Sequence, residues 1–305
     1  MREQWQRGTP ELTLDAAAAG RLLEPLFPGA VVTALEPARG GLANTNIRVA
    51  LAGRAAPVLL RLYQQDPPQA RKEAAVVRLI GDQVPVPRFL HVSDTNPITG
   101  RPYAVVEWVE GVRLETVFAG MGDGALARLG HALGQALAAV HGFGFDKFGF
   151  PGADLRIPAA IDLDRDGLIA YLEHCFLRGR GGARIGADLT AALLAFAARE
   201  GGRLDAWLER PCLVHTDFNG SNILVRRKDG APDWELAAIV DWENALGGTP
   251  AFDFGNLLRP PLGARAGFAD AVAAGYRAGG GSLPADWRRI ARICDLYNWA
   301  EFLNR

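Results

Sequence analysis

Residues 213–225 read LVHTDFNGSNILV, two short apolar runs enclosing a polar loop. Apolar runs bounded by Gly, Asn and Asp predict two strands joined by that loop. A third apolar run, 234–241, follows the turn residues Lys228, Asp229 and Gly230 and delivers Asp241 within IVDWEN at 239–244. An acid in a loop, an amide five residues on and a second acid just past a hairpin suit one task. Asn222 and Asp241 supply hard oxygen ligands of the kind Mg²⁺ takes on a nucleotide, while Asp217 can accept a proton from an attacking hydroxyl.

The rest of the chain predicts a frame in two parts. At 305 residues the length suits about two domains, expected at 1–110 and 111–305. Strands are predicted at 31–35, 46–51, 57–63 and 103–109, with a helix over 69–80 that places Ala70, Ala74 and Val77 on one side. Residues 84–87, VPVP, start an extended segment. Beyond Glu110 and Gly111 the pattern turns helical. Leu126, Leu129, Leu133, Leu137 and Val140 recur at helical spacing behind Asp123, and further helices are expected at 167–178, 188–208 and the C-terminal end. Lys plus Arg number 33 against 34 Asp plus Glu, so no global basic field exists to hold nucleic acid or an anionic membrane. Cys175, Cys212 and Cys294 stand far apart without a CxxC, which indicates neither a disulfide framework nor a zinc cage. With no apolar signal core and no apolar stretch of about 18 residues, the expected setting is the reduced cytoplasm.

The HxDxxxxN loop at 215–222 followed by apolar-apolar-Asp-Trp at 239–242 resembles the aminoglycoside phosphotransferase and choline kinase branch of the protein-kinase-like fold. GGLANTN at 40–46 is similar to that family's phosphate-covering loop, and AVVEWVEG at 104–111 to its hinge. The resemblance covers about residues 25–303 in the right order. It implies an α+β, bilobal fold: a small antiparallel-sheet N-lobe with one helix, and a larger, mainly helical C-lobe. The implied activity is Mg²⁺-dependent transfer of the γ-phosphate of ATP or GTP to a hydroxyl of a small molecule.

The resemblance also assigns roles. Asp217 is the base, Asn222 and Asp241 hold the metal, and His215 is structural. Asp253 braces the catalytic loop from beneath. Gly40, Gly41, Asn44 and Asn46 belong to the phosphate loop, and Arg61 binds the α- and β-phosphates, aimed by Glu73. The backbone at Glu107 and Val109 receives the adenine. Arg61 departs from the commoner lysine; arginine keeps the charge and can fork onto phosphate, but is bulkier.

Other features admit plainer readings. Glu243 reads equally as a metal or substrate ligand and as a solvated carboxylate, and His141 as a partner for a helix C-terminus or a packed ring. Residues 162–173, DLDRDGLIAYLE, fit the calcium-loop string D-x-D-x-D-G-x₅-E, yet no entering helix precedes them; an acidic first turn with Asp166 near the N-cap is the simpler account. Six acids against five arginines over 151–190, and four against six over 260–305, do not favour a polycationic acceptor. The expected acceptor is a neutral, zwitterionic or anionic hydroxyl compound. A silent nucleotide-binding module and a protein kinase are the rival readings. The intact trio Asp217, Asn222 and Asp241 argues against the first, and the lack of an Ala-Pro-Glu platform after Asp241 against the second.

Overall fold

In a computed structural model of the chain, residues 12–38, 44–64, 68–228 and 233–305 are described. Gly40 and Gly41 lie outside these residues. The chain forms two compact units. The first comprises the described residues up to Gly111 together with Gly152–Leu155 and Ala237–Glu243; the second comprises Val112–Pro151, Arg156–Leu236 and Asn244–Arg305.

Unit 1 is built on a five-stranded antiparallel sheet of order β1-β2-β3-β5-β4. Its strands are β1 (Val32–Pro37), β2 (Thr45–Leu51), β3 (Val58–Leu62), β4 (Phe89–Ser93) and β5 (Tyr103–Glu107). Side chains alternate between the faces of a strand, and this decides where each residue points. Ile47, Val49, Leu51, Val58, Leu60, Leu62, Tyr103 and Val105 pack against Ala19, Leu22 and Leu23 of helix α1 (Ala16–Leu23). The opposite face carries Leu59, Tyr63, Ala104 and Val106 against Ala70 of α2 (Pro68–Ile80). Arg61 shares this second parity, so the strand period turns it toward the helix that carries Glu73.

Helix α1 and strand β4 add to the elements expected from sequence. Asp15 caps α1 by accepting the Ala18 amide at 2.6 Å, and the Tyr103 hydroxyl donates to the Leu22 carbonyl at 3.0 Å. Every residue of β4 is half-buried, as suits an edge strand, so its sequence has no alternation to announce it.

Unit 2 is mainly helical. Its helices are α3 (Leu114–Val117), α4 (Asp123–His141), α5 (Arg165–Glu173), α6 (Gly181–Ile185), α7 (Ala187–Glu200), α8 (Ala251–Leu257), α9 (Phe268–Ala278), α10 (Trp287–Cys294) and α11 (Leu296–Asn304). Helices α4 and α9 cross at backbone distance. A Cβ on Gly275 would fall 1.9 Å from the His131 carbonyl oxygen, and one on Gly134 would fall 2.1 Å from that of Val272, so glycine is required at both.

Two small sheets hold the strands that flank the loop 215–222. β7 (Cys212–Val214) pairs antiparallel with β10 (Leu246–Gly248). β6 (Val112–Arg113), β8 (Ile223–Arg227) and β9 (Trp234–Ile239) form the other, in the order β6-β8-β9. From residue 237 the chain belongs to unit 1, where the Ile239 amide donates to the Pro85 carbonyl at 2.9 Å. That passage carries Asp241 and Glu243 into the unit that holds Arg61 and Glu73.

Candidate active site

The candidate groups form one cluster in each unit. In unit 1, Arg61 is nearly buried and is surrounded by carboxylates. Its Nε lies 3.1 Å from Glu73 Oε2, and its Nη2 reaches Asp241 Oδ1 at 2.5 Å and Glu243 Oε2 at 2.9 Å. Glu73 is held in turn by the Tyr63 hydroxyl at 2.6 Å and the Trp242 amide at 3.2 Å. Asn44 donates its side-chain amide to Glu243. Thus Arg61, Glu73, Asp241 and Asn44 are brought together, and of these contacts the Arg61–Glu73 pair is the one the sequence expects. Asn46 presents a buried side-chain oxygen without a hydrogen-bond partner.

Glu243 is the residue that sequence left ambiguous. It is 6% exposed, so it is a member of this cluster and not a solvated surface acid. Sequence could not decide the point, because its partner Asn44 lies 199 residues away. Burial, reinforced by the charges of Asp241 and Glu73 and opposed by Arg61, pushes its carboxyl up to about 8. Burial also raises Glu73, against the pull of Arg61. The guanidinium of Arg61 stays charged because the surrounding carboxylates outweigh its own desolvation.

Lys72 is a further cation that sequence reading missed. Burial lowers its pKa while the fields of Glu73 and Glu243 raise it. As the neighbour of Glu73 on a helix, it carries no sequence signal of its own.

The backbone at Asp241 has φ of +72°, in the left-handed region that costs a non-glycine residue about 1–2 kcal/mol. The Trp242–Glu73 hydrogen bond holds the chain just past it. At the end of β5 the Glu107 amide donates to the Arg88 carbonyl at 2.8 Å, and its carboxylate accepts from the Arg88 side chain at 3.1 Å. Val109 follows two residues on, past the end of the strand.

In unit 2, the loop between β7 and β8 is held from below by Asp253 on α8. This fully buried carboxylate accepts the His215 amide at 2.9 Å, the Thr216 amide at 2.8 Å and a contact from His141 Nε2 at 3.1 Å. Thr216 has φ of +67°. Its hydroxyl donates to the Asn244 carbonyl at 3.0 Å and its own carbonyl accepts the Asn256 amide at 3.0 Å. The left-handed turn therefore has a tie on each of its polar groups, and it aims the next residue, Asp217. One Asp217 oxygen accepts the Asn219 side-chain amide at 2.5 Å and the other accepts that of Asn222 at 2.9 Å. His215 is fully buried, its ring edge-on to Phe218 with Nδ1 accepting the Asp217 amide at 3.3 Å.

His141 is more than a helix-end partner: it bridges Asp253 to the Tyr276 hydroxyl, 3.1 Å from Nδ1. Sequence reading also missed Asn219 and Asn256, which belong to no spacing pattern that distinguishes them from surface amides.

Each unit offers oxygen atoms of the kind a hard divalent cation takes, though among the described residues no three acidic, histidine or cysteine side chains gather as a metal site. Glu73, Asp241 and Glu243 face the single guanidinium of Arg61, with burial holding Glu243 toward its neutral form. In unit 2, Asn222 directs its nitrogen to Asp217, leaving its oxygen with only a 3.3 Å contact from Ser221. Carboxylate and amide oxygens are the ligands Mg²⁺ prefers. The calcium-like string has another use. Asp164, not Asp166, caps α5 by accepting the Gly167 amide at 2.9 Å, while Asp166 pairs with Arg165 at 3.0 Å.

A two-unit α+β chain of this topology, with these clusters, defines a protein-kinase-like phosphotransferase. Residues 34–293 match the phosphotransferase enzyme family, and the chain belongs to it. Solved structures agree on the fold. The GDP and kanamycin complex of APH(2")-IIia is 17% identical with a TM-score of 0.71, over 92% of this chain and 88% of that one. The ternary complex of a thermostable APH(4)-Ia mutant with AMP-PNP and hygromycin B is 18% identical with a TM-score of 0.57, over 93% and 99%. ADP-bound APH(2'')-Ib is 14% identical with a TM-score of 0.63, over 95% and 89%. No curated protein matches the chain significantly. Among the described residues no helix is long and apolar enough to cross a membrane.

Proposed function

We propose that this phosphotransferase moves the γ-phosphate of ATP or GTP to a hydroxyl of a small, non-polycationic molecule, with Asp217 accepting the proton. The observation that carries the reading is the Asp217 carboxylate, fixed by Asn219 and Asn222 on a strained turn that Asp253 and Asn256 hold. Phosphoryl transfer asks little covalent chemistry of the protein, so orienting the nucleophile is most of its task. As the acceptor oxygen bonds to phosphorus, the bond to the β-phosphate oxygen breaks and the hydroxyl proton passes to Asp217. Asp241 and Asn222 would hold Mg²⁺, which when bound neutralises phosphate charge. Arg61 would bind the α- and β-phosphates while Glu73 aims it, and Asn44 and Asn46, with Gly40 and Gly41, would border the phosphates. The backbone of Glu107 and Val109 would receive the purine. His215 and Asp253 support the loop. GDP, AMP-PNP and ADP in the similar structures suit either purine nucleotide.

Internal pairing of acids supports the acceptor class. Asp295 is held by both Arg259 nitrogens, Glu301 by Tyr171 and Arg305, Asp270 by Arg288, and Asp286 by Arg203. Such carboxylates are poorly placed to gather a polycation such as those bound in some of the similar structures. Three free, buried cysteines suit work in the reducing cytoplasm.

A panel of hydroxyl compounds, scored by nucleotide-dependent thermal shift and product mass, tests the reading. Phosphorylated sugars or amino alcohols with wild type, reduced roughly 10²- to 10⁴-fold in Asp217→Ala, support it. Equal or better turnover of kanamycin-type compounds would reject the acceptor class.

A further inference from the structure

Unit 2 contains a concavity that the phosphotransfer reading does not use. It measures about 490 Å³, and its walls include His141, Trp207, Glu209, Arg210, Cys212 and Tyr276, with the glycine run 279–281 along one side. No residue of the loop 215–222 lines it, and Cys212 stands at the end of β7 remote from that loop. The volume lies within the range of small-molecule sites, about 300–1,000 Å³.

Some exposed arginines of this unit take acidic partners: Arg128 with Asp233, Arg165 with Asp166, Arg203 with Asp286 and Arg288 with Asp270. Arg210 and Glu209 are adjacent and opposite, and both line the cavity. Among the described residues, neither forms an ion pair or a hydrogen bond, with the other or with any other group. The Arg210 guanidinium rests on Gly144, where a Cβ would fall 2.5 Å from its terminal nitrogen; glycine there makes its seat. A dianion would meet Glu209 and a polycation would meet Arg210. A molecule bearing one charge of each sign satisfies both.

The remaining wall reaches the catalytic loop. Tyr276 and His141 are bonded to each other at 3.1 Å, and His141 contacts Asp253, the acceptor of the His215 and Thr216 amides. Burial pushes the Cys212 thiol up, so it lines the cavity as a neutral group and not as a nucleophile.

We propose that this cavity binds a small zwitterion of the amino-acid class, and that its occupancy is relayed through His141 and Asp253 to the catalytic loop. The carboxylate meets Arg210, the ammonium meets Glu209, and the remainder lies against Trp207 and Tyr276. This goes beyond the phosphotransfer reading, and its binding test needs no nucleotide.

Isothermal titration of the full chain with L-phenylalanine and L-leucine provides that test, with acetate and ethylamine as single-charge probes. Saturable binding of an amino acid, tighter than either single-charge probe, is expected. Arg210→Ala should weaken it roughly tenfold or more, as loss of a charge-assisted hydrogen bond predicts. Ala206→Trp, which adds a ring at an exposed lining position, should abolish it, with thermal melts showing that both variants fold. Amide exchange at His215 and Thr216 should slow on saturation. No saturable binding, binding no tighter than acetate, or affinity unchanged in both variants overturns the site; unchanged exchange at saturation overturns the relay.

Discussion

Asp253→Asn is the sharpest perturbation of the loop 215–222, because it changes charge and one hydrogen-bonding atom while keeping shape. The native carboxylate is fully buried and receives the His215 amide and His141 on Oδ2 and the Thr216 amide on Oδ1. Asparagine can keep only one acceptor oxygen. Placed to serve His215, it turns its NH₂ toward the Thr216 N–H, leaving that donor unsatisfied at about 1–3 kcal/mol. The surviving bonds also fall from charge-assisted to neutral, roughly halving their strength. Loss of a buried charge recovers some desolvation energy, so the net destabilisation should be about 2–3 kcal/mol. The left-handed turn at Thr216, itself strained by about 1–2 kcal/mol, then has reason to relax. Urea titration supplies the stability, and amide exchange at His215 and Thr216 supplies the local effect. Stability within about 0.5 kcal/mol of wild type with unchanged exchange would refute the bracing argument. A displaced loop should also slow phosphoryl transfer by roughly 10²-fold, the scale of about a 1 Å misplacement.

Two other expectations follow from buried groups. Burial pushes the Glu243 carboxyl up to about 8 from its ordinary 4.5, so between those values the folded state holds a proton that the unfolded chain releases. Its contribution is therefore complete below about pH 4.5 and is lost as pH rises through about 8; Glu243→Gln should flatten that decline, by an amount on the order of a few kcal/mol, in urea titrations across the range. Gly275→Ala drives a methyl into the His131 carbonyl at the α4–α9 crossing and should cost about 1–3 kcal/mol or more, read as a lowered urea midpoint.

What the sequence disclosed, and what it did not, follows from range. Strand β3 and helix α2 were legible because their apolar residues repeat at the periods of strand and helix, and parity alone turns Arg61 toward Glu73. The loop 215–222 was legible because its functional spacing is local. Helix α1 was not: an alanine-rich run with one small capping acid, Asp15, has little pattern to separate it from a linker. Strand β4 lacks alternation because both of its faces are half-buried. The environment of Glu243 required contacts across the whole chain, with Asn44 and Arg61. Likewise, His141 acquires its link to Asp253 only when residues 112 apart in sequence meet.

In the proposed reaction the Asp217 carboxylate receives the acceptor's proton. Single-turnover transfer from γ-labelled nucleotide to an acceptor found in the hydroxyl panel, comparing wild type with Asp217→Asn, tests it most directly. The transfer step should slow by roughly 10²- to 10⁴-fold with nucleotide affinity nearly unchanged. A rate within about twofold of wild type would contradict it.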